Sequence, residues 1–290
     1  MGRSSDIFAF KGLHAPVMFT GCEALYPIFT AVLRDWPMVM TDFLPGSEVV
    51  ITLERIAERY ERRSSWQPEP IGFRDPVDAV CDFIVDLIHA YVGEHQKNLC
   101  LHGAAVELGA GLMVFPNTYR AGKSILSIKL VSLGARLFSD DVLPIDHQRN
   151  TGTALGILPR LRLPLPDKAE QSLISFIDHR IGPQNKRYRY IRLDEDELAP
   201  LGSVAPVAAI TILERDPGAK PLLRPAKQSD VVKHMILRNF ARQNPAIEIV
   251  DRIHGLVEQA ECYTLTYDTL EQAADLLDDA FGIIPERKAS

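Results

Sequence analysis

No uncharged apolar run approaches the ~20 residues needed to cross a bilayer, so a helical membrane span is not expected. Cysteine is scarce. Cys22, Cys81, Cys100 and Cys262 form no C-x-x-C pair and have no histidine nearby at ligand spacing. That argues against both a zinc site and a disulfide scaffold, and reduced thiols in a cytoplasmic protein are the expectation. The N-terminal stretch MGRSSDIFAFKG lacks a long apolar core because Asp6 and Lys11 interrupt it, so no secretory signal is expected. Gly2 does not complete a myristoylation pattern, since Asp6 stands where Ser or Thr is required. Positive charge is not in excess: 32 basic against 38 acidic side chains leave a formal charge of −6. No global field then draws the chain onto nucleic acid or an anionic membrane, and any anion site must be local. Internal repeats and low-complexity tracts are also missing.

What is present is an ordinary globular composition, 46% apolar and 24% charged over 290 residues. On the prior of about 150 residues per domain the length suits two units. Residues 1–70 read as a small N-terminal α+β extension, ending in the turn-rich Arg62-Arg63-Ser64-Ser65-Trp66-Gln67-Pro68-Glu69-Pro70, which reads as a linker. Residues 71–285 read as the main domain.

Asp75-Pro76 offers an N-cap and a first-turn proline, and Val77, Val80, Ile84, Leu87, Ile88 and Tyr91 recur at helical spacing, which predicts a core-facing helix to about His95. Leu99–Leu108 and Leu112–Phe115, joined by Gly109-Ala110-Gly111, predict an antiparallel hairpin. Leu126, Leu130 and Leu133 then predict a helix stopped at Gly134, followed by a strand over Ala135–Ile145. Further strands are expected over Arg187–Leu193, Val207–Leu213 and Cys262–Tyr267. Helices are expected over Ser229–Arg242, Ala246–Gln259 and Leu270–Phe281, and the tail from Pro285 is expected to fray.

Between Phe115 and the helix lies Pro116-Asn117-Thr118-Tyr119-Arg120-Ala121-Gly122-Lys123-Ser124, which ends like a Walker A loop. In that pattern backbone N–H groups at a helix N-terminus wrap phosphates, the lysine reaches the terminal phosphates and the hydroxyl takes Mg²⁺. Its position between a predicted strand and helix is where that mechanism requires it. Asn117 replaces the first glycine, and asparagine is among the few other residues that readily enter the left-handed region. Arg120 adds a cation inside the loop. Ser139-Asp140-Asp141 places paired carboxylates at a strand end, where one can serve a metal and the other an attacking hydroxyl. Adjacent strand residues face opposite ways, so both can act only where the strand has ended. His102-Gly103 lies in the preceding strand, and the glycine implies a close approach.

Leu101-His102-Gly103-Ala104-Ala105-Val106-Glu107, Ala121-Gly122-Lys123-Ser124 and Gly134-Ala135-Arg136-Leu137-Phe138-Ser139-Asp140-Asp141, taken in order and spacing, resemble the catalytic core of HPr kinase/phosphorylase and the HPr kinase-like proteins. The resemblance implies an α/β fold with a mixed-sheet, phosphoenolpyruvate carboxykinase-like P-loop core, binding ATP and Mg²⁺. It assigns Asn117, Thr118, Tyr119, Arg120, Ala121, Gly122, Lys123 and Ser124 to the nucleotide. Lys123, His102 and Asp140 are assigned to catalysis, with Asp140 as base, and Ser124 and Asp141 to the metal, a division of the two aspartates that stays exchangeable. The glycine- and arginine-rich segment that supports phosphorolysis in true HPr kinases has no counterpart in this chain.

The function implied is a kinase that transfers the γ-phosphoryl group to a hydroxyl of a peptide, protein or small molecule. Family members often assemble, so a homo-oligomer is also implied. A nucleotide-binding regulator or pseudokinase of the same fold is the second reading, and retention of Lys123, Ser124, Asp140 and Asp141 argues against it. Loss of the nucleotide altogether rests on Asn117 alone. The basic segment Lys186, Arg187, Arg189 and Arg192 reads as a surface strand offset by Asp194, Glu195, Asp196 and Glu197, with docking of an acidic acceptor as the alternative. It is too short for nucleic-acid binding on an acidic chain.

Overall fold

The structure, a computed structural model, describes residues 5–283 apart from 43–47, 96, 110, 117–120, 167–168, 238 and 240–243. Its class is mixed α/β. The N-terminal part comprises β1 (Ser5–Phe10), β2 (Val17–Thr20), α1 (Tyr26–Val32), β3 (Met38–Met40), β4 (Ile51–Ile56), β5 (Arg59–Ser64) and β6 (Gln67–Phe73). Its six strands form one sheet in the order β3-β1-β2-β4-β5-β6. Residues 62–70, expected as a linker, instead lie largely in the antiparallel pair β5 and β6. Charge pairing explains why the apolar pattern missed them. Glu61 and Arg62 on β5 are buried. Arg62 Nε donates to Asp82 at 2.6 Å and the guanidinium also meets Asp86, while Glu61 accepts from Arg59 and Arg63. Pro68 and Pro70 suit the edge strand β6, where a missing N–H costs no ladder bond.

Helix α2 (Pro76–Glu94) begins as the sequence predicts, with the Asp75 carboxylate accepting from the N–H groups of Val77 and Asp78 at 2.9 and 3.0 Å. The expected face is buried, but so are Ala79, Cys81, Phe83 and Asp86 on other faces. A helix apolar nearly all round is one packed on more than one side. Toward the N-terminal sheet, the Phe83 ring meets Phe10, Phe19 and Phe29 at centroid distances of 5.9, 5.3 and 4.8 Å.

The main part continues with β7 (Leu99–His102), β8 (Ala104–Leu108), β9 (Gly111–Phe115), α3 (Lys123–Ser132), β10 (Arg136–Ser139), β11 (Val142–Asp146) and β12 (Thr151–Thr153). Then come β13 (Arg160–Arg162), α4 (Gln171–Asp178), β14 (Ile181–Gln184), β15 (Tyr188–Ile191), β16 (Val204–Arg215), β17 (Leu222–Pro225), α5 (Gln228–Ile236), α6 (Ala246–Gln259), β18 (Glu261–Tyr267) and α7 (Leu270–Phe281). The large sheet runs β10-β8-β9-β16-β12-β11-β7, with β18 and β17 added beside β16. Strand β16 is parallel to both β9 and β18 and antiparallel to β12, so the sheet is mixed. Alternate residues of β9 divide between two apolar clusters. Met113 and Phe115 join the side of α3 and α7, whereas Leu112 and Val114 join the side of α5 and α6.

The predicted hairpin is β8–β9, in register from Ala104↔Phe115 to Leu108↔Gly111. Two expected strands are each broken in two: 99–108 at Gly103 and 135–145 at Asp140-Asp141. The helices over Ala246–Gln259 and Leu270–Phe281 match the expected bounds, and α7 carries a Thr269–Gln272 capping box. The tail from Pro285 lies outside the described residues. In the basic segment, β15 is the middle strand of a three-stranded sheet with β13 and β14. Its charges are not offset by the following acidic run as expected. Arg187 pairs with Asp78 at 2.6 Å and Arg189 with Asp178 at 2.9 Å, while Glu197 pairs with Arg180. Among the described residues no helix is long and apolar enough to cross a membrane. All four cysteines are free.

Arg62 holds the N-terminal sheet to α2 with its side chain 4% exposed. Arg62→Ala strands two carboxylates that face each other in a largely dry junction, and the expected loss is about 3–5 kcal/mol in urea unfolding followed through Trp66. A loss below about 1 kcal/mol, the range of an exposed pair, would show that the junction does not depend on this guanidinium.

Candidate functional site

At Gly103 the chain leaves the β7–β11 ladder for that of β8, and at Asp140-Asp141 it leaves the β10–β8 ladder for that of β11. The two crossings are tied together. Gly103 N–H donates to the Asp141 carbonyl at 3.0 Å, and Ser139 Oγ donates to the Gly103 carbonyl at 3.1 Å. A Cβ on Gly103 would stand 2.9 Å from the Phe115 carbonyl oxygen, which is the close approach its sequence context implied. Strands that part company in this way leave a crevice at their ends, the place where open α/β sheets take ligands. Here it is a cavity of about 650 Å³.

One wall is the start of α3. Gly122, at φ +85°, turns the chain into the helix, and its carbonyl accepts the first helical bond from Leu126 N–H at 3.0 Å. The first-turn N–H groups have no partners within the helix, so they and the helix dipole favour an anion there. Lys123, 8% exposed, and Ser124 line the cavity. The buried Tyr267 of β18 props this corner, its hydroxyl donating to the Ala121 carbonyl at 3.4 Å. Burial pushes that phenol up to about 12, which keeps it a neutral donor. Of the expected loop, Asn117, Thr118, Tyr119 and Arg120 lie outside the described residues.

Both aspartates sit in the turn between β10 and β11 and both line the cavity, the condition under which adjacent carboxylates can share a site. Their surroundings differ. Asp140 Oδ2 accepts from Arg160 N–H at 2.9 Å, while Oδ1 is buried without a hydrogen-bond partner among the described residues. Burial raises the Asp140 pKa, against the opposing pull of the Ser124 hydroxyl and the Arg160 N–H. Asp141 is half-exposed, and its Oδ1 lies 3.2 Å from His102 Nδ1. His102 is placed opposite Val142 by the β7–β11 register. Ser124 is thus grouped with Asp140, and His102 with Asp141.

The opposite wall comes from residues the sequence did not single out, or read differently. Arg160 and Arg162 of β13, Tyr188 and Tyr190 of β15, and Cys81, Ile84, Val85 and Ile88 of α2 face the same cavity. Cys81 Sγ and Tyr190 OH are 3.1 Å apart, and Arg160 Cζ lies 4.6 Å from the centre of the Tyr188 ring. The only local signal was the alternation that put Tyr188 and Tyr190 on one strand face; nothing in spacing linked them to α3. Among the described residues no three His, Cys, Asp or Glu side chains converge to cage a metal. One or two carboxylate oxygens beside a hydroxyl suit Mg²⁺, which keeps several waters and is bound largely through substrate phosphates. The orphaned Asp140 Oδ1 near Ser124 fits that requirement. No family model matches the chain, and no curated protein matches it either.

A carboxyl whose pKa is raised on folding binds more protons in the native than in the unfolded state between its ordinary value of 3.8 and the raised value. Stability falls as pH rises through that window, and above it the full cost remains. Asp140→Asn removes the cost, so this variant is expected to melt above the wild type at neutral pH, with the gap closing as pH drops below 3.8. Thermal melts across pH 3–8 check this; an Asn variant that melts below the wild type at neutral pH would mean that the charge is stabilised where it stands.

Proposed function

We propose that the chain is an ATP- and Mg²⁺-dependent kinase on a P-loop core of the HPr kinase-like type, moving the γ-phosphoryl group to a hydroxyl of a peptide, protein or small-molecule acceptor. The observation that carries this reading is the meeting of the α3 N-terminus, Lys123 and Ser124 with two differently held carboxylates in one cavity. Phosphoryl transfer asks a protein for little else than phosphate binding, charge neutralisation and a base near the incoming hydroxyl.

In this reading the first-turn amides of α3 and Lys123 bind the β- and γ-phosphates. Ser124 and Asp140 hold the metal, because the hydroxyl and the orphaned Oδ1 are grouped there. Magnesium, when bound, would supply charge neutralisation for the phosphates. The His102–Asp141 pair takes the proton of the incoming hydroxyl, since the two are in contact at 3.2 Å on the cavity wall. As that oxygen bonds to the γ-phosphorus, the bond from phosphorus to the β–γ bridging oxygen breaks and ADP leaves. The roles of the two aspartates are thereby exchanged relative to the first assignment.

Mg-ATP is expected to raise the melting temperature through preferential binding to the native state, and Lys123→Met to remove most of that rise. His102→Gln and Asp141→Asn should each cut transfer or slow ATP hydrolysis by ~10²–10⁴, the range of a lost general base, with nucleotide affinity kept. Asp140→Asn should instead raise the Mg²⁺ concentration required. A wild-type melting curve indifferent to millimolar Mg-ATP would sink the nucleotide reading. Tight ATP binding with no turnover that any of these substitutions alters would favour a regulator without chemistry.

A further inference from the structure

Arg160 lines the cavity, and the phosphoryl-transfer machinery leaves its side chain without a task. Its backbone N–H holds Asp140, but its guanidinium turns into the cavity beside Cys81 and over the Tyr188 ring. No described carboxylate lies within ion-pair distance of it, although the neighbouring strand arginines Arg187 and Arg189 each have one at under 3 Å. A half-buried guanidinium that bonds the Cys81 thiol and lies over the Tyr188 ring, with no described carboxylate paired to it, keeps further N–H donors for what enters the cavity. The edge of a guanidinium matches a carboxylate or phosphate in a two-point geometry. The wall adjoining it is apolar: Ile84, Val85 and Ile88 of α2 face the same space, and Val85 is 43% exposed although it carries no polar atom.

We propose that this half of the cavity is the acceptor subsite, and that the acceptor is an anionic hydroxy compound with an apolar body. Its carboxylate or phosphate bonds the Arg160 edge, its apolar part lies on α2, and its hydroxyl reaches the His102–Asp141 pair. This rests on the kinase reading for the word acceptor; the anion site itself does not.

The test is calorimetric titration of the full chain, without nucleotide, with octanoate, octyl phosphate and octanol as probes. At least one of the two anions is expected to bind, and to bind more tightly than octanol. Arg160→Gln should weaken that anion by about ten-fold or more, the worth of one charge-assisted hydrogen bond, and leave octanol unchanged. Which anion responds tells a carboxylate acceptor from a phosphorylated one. Val85→Asp, at an exposed position that tolerates a polar side chain, should weaken the anion by like-charge repulsion and decides the matter should Arg160→Gln not fold. Anions that bind no better than octanol, or that bind equally well to the substituted chains, overturn the proposal. Because nucleotide is absent, failure here is separate from failure of the Mg-ATP melting shift, which sinks the kinase reading and leaves an anion site standing.

Discussion

The contact on which the arrangement depends is the pair of hydrogen bonds at Gly103, whose N–H donates to the Asp141 carbonyl and whose carbonyl accepts from Ser139 Oγ. It joins two chain crossings that would otherwise be separate breaks in a sheet. Both lie at the same level, so the ends of β7, β8, β10 and β11 open onto one space. There is no room for a Cβ at Gly103 because the Phe115 carbonyl stands against it, and Phe115 is the last residue of the strand that leads into the loop before α3. One residue without a side chain therefore sets where His102 ends its strand, where the aspartates turn and where the loop departs. Packing on both faces of the sheet fixes the level of these crossings, since adjacent residues of β7, β8 and β9 go to opposite apolar clusters and a slip of one would exchange them all.

Two sets of inward carboxylates show what the fold does with charge. Around Arg62, each of Asp82 and Asp86 meets the guanidinium, Trp66 Nε1 adds a bond to Asp86 at 3.1 Å, and the cluster locks α2 to a sheet. Around Asp140 the opposite holds: one oxygen is anchored by a backbone N–H and the other is buried without a hydrogen-bond partner among the described residues. An unsatisfied buried acceptor costs about 1–3 kcal/mol, which a structural position does not retain without return. In the proposed function that oxygen is the one offered to the metal.

Local signals in the sequence were read correctly where one element decides them. Asp75-Pro76 sets the start of α2, the apolar spacing gives the range of α7, and the apolar stretches around Gly109 and Gly111 set the hairpin. They failed where distant partners decide. Strand β5, sequence RYERRS, buries Arg62 because its partners Asp82 and Asp86 lie twenty and more residues away, and no periodicity announces that. The long strands were divided because Gly103 and Asp140-Asp141 change ladders, an event that leaves only a glycine and two turn-tolerant aspartates as its trace. Lys123, Ser124, His102, Asp140 and Asp141 were legible together, and the structure brings all five to one cavity. Arg160, Tyr190 and Tyr267 were not, since they enter from three separate strands whose approach to α3 is tertiary.

This division of legibility follows a division of labour in the cavity. The side proposed to take phosphates is built from short contiguous segments, 121–124 and 139–141, whose residue types carry their chemistry with them. The far side is built from β13 and β15, neighbours in the three-stranded sheet β13-β15-β14 and not strands of the large sheet, and from one face of α2. A small sheet with its own ladder can change its inward side chains without disturbing the strand crossings at Gly103. The two sides still meet at one residue. Arg160 holds Asp140 through its backbone at 2.9 Å and faces the cavity with its side chain, so a group that draws on the guanidinium also acts on the strand that positions the buried carboxylate.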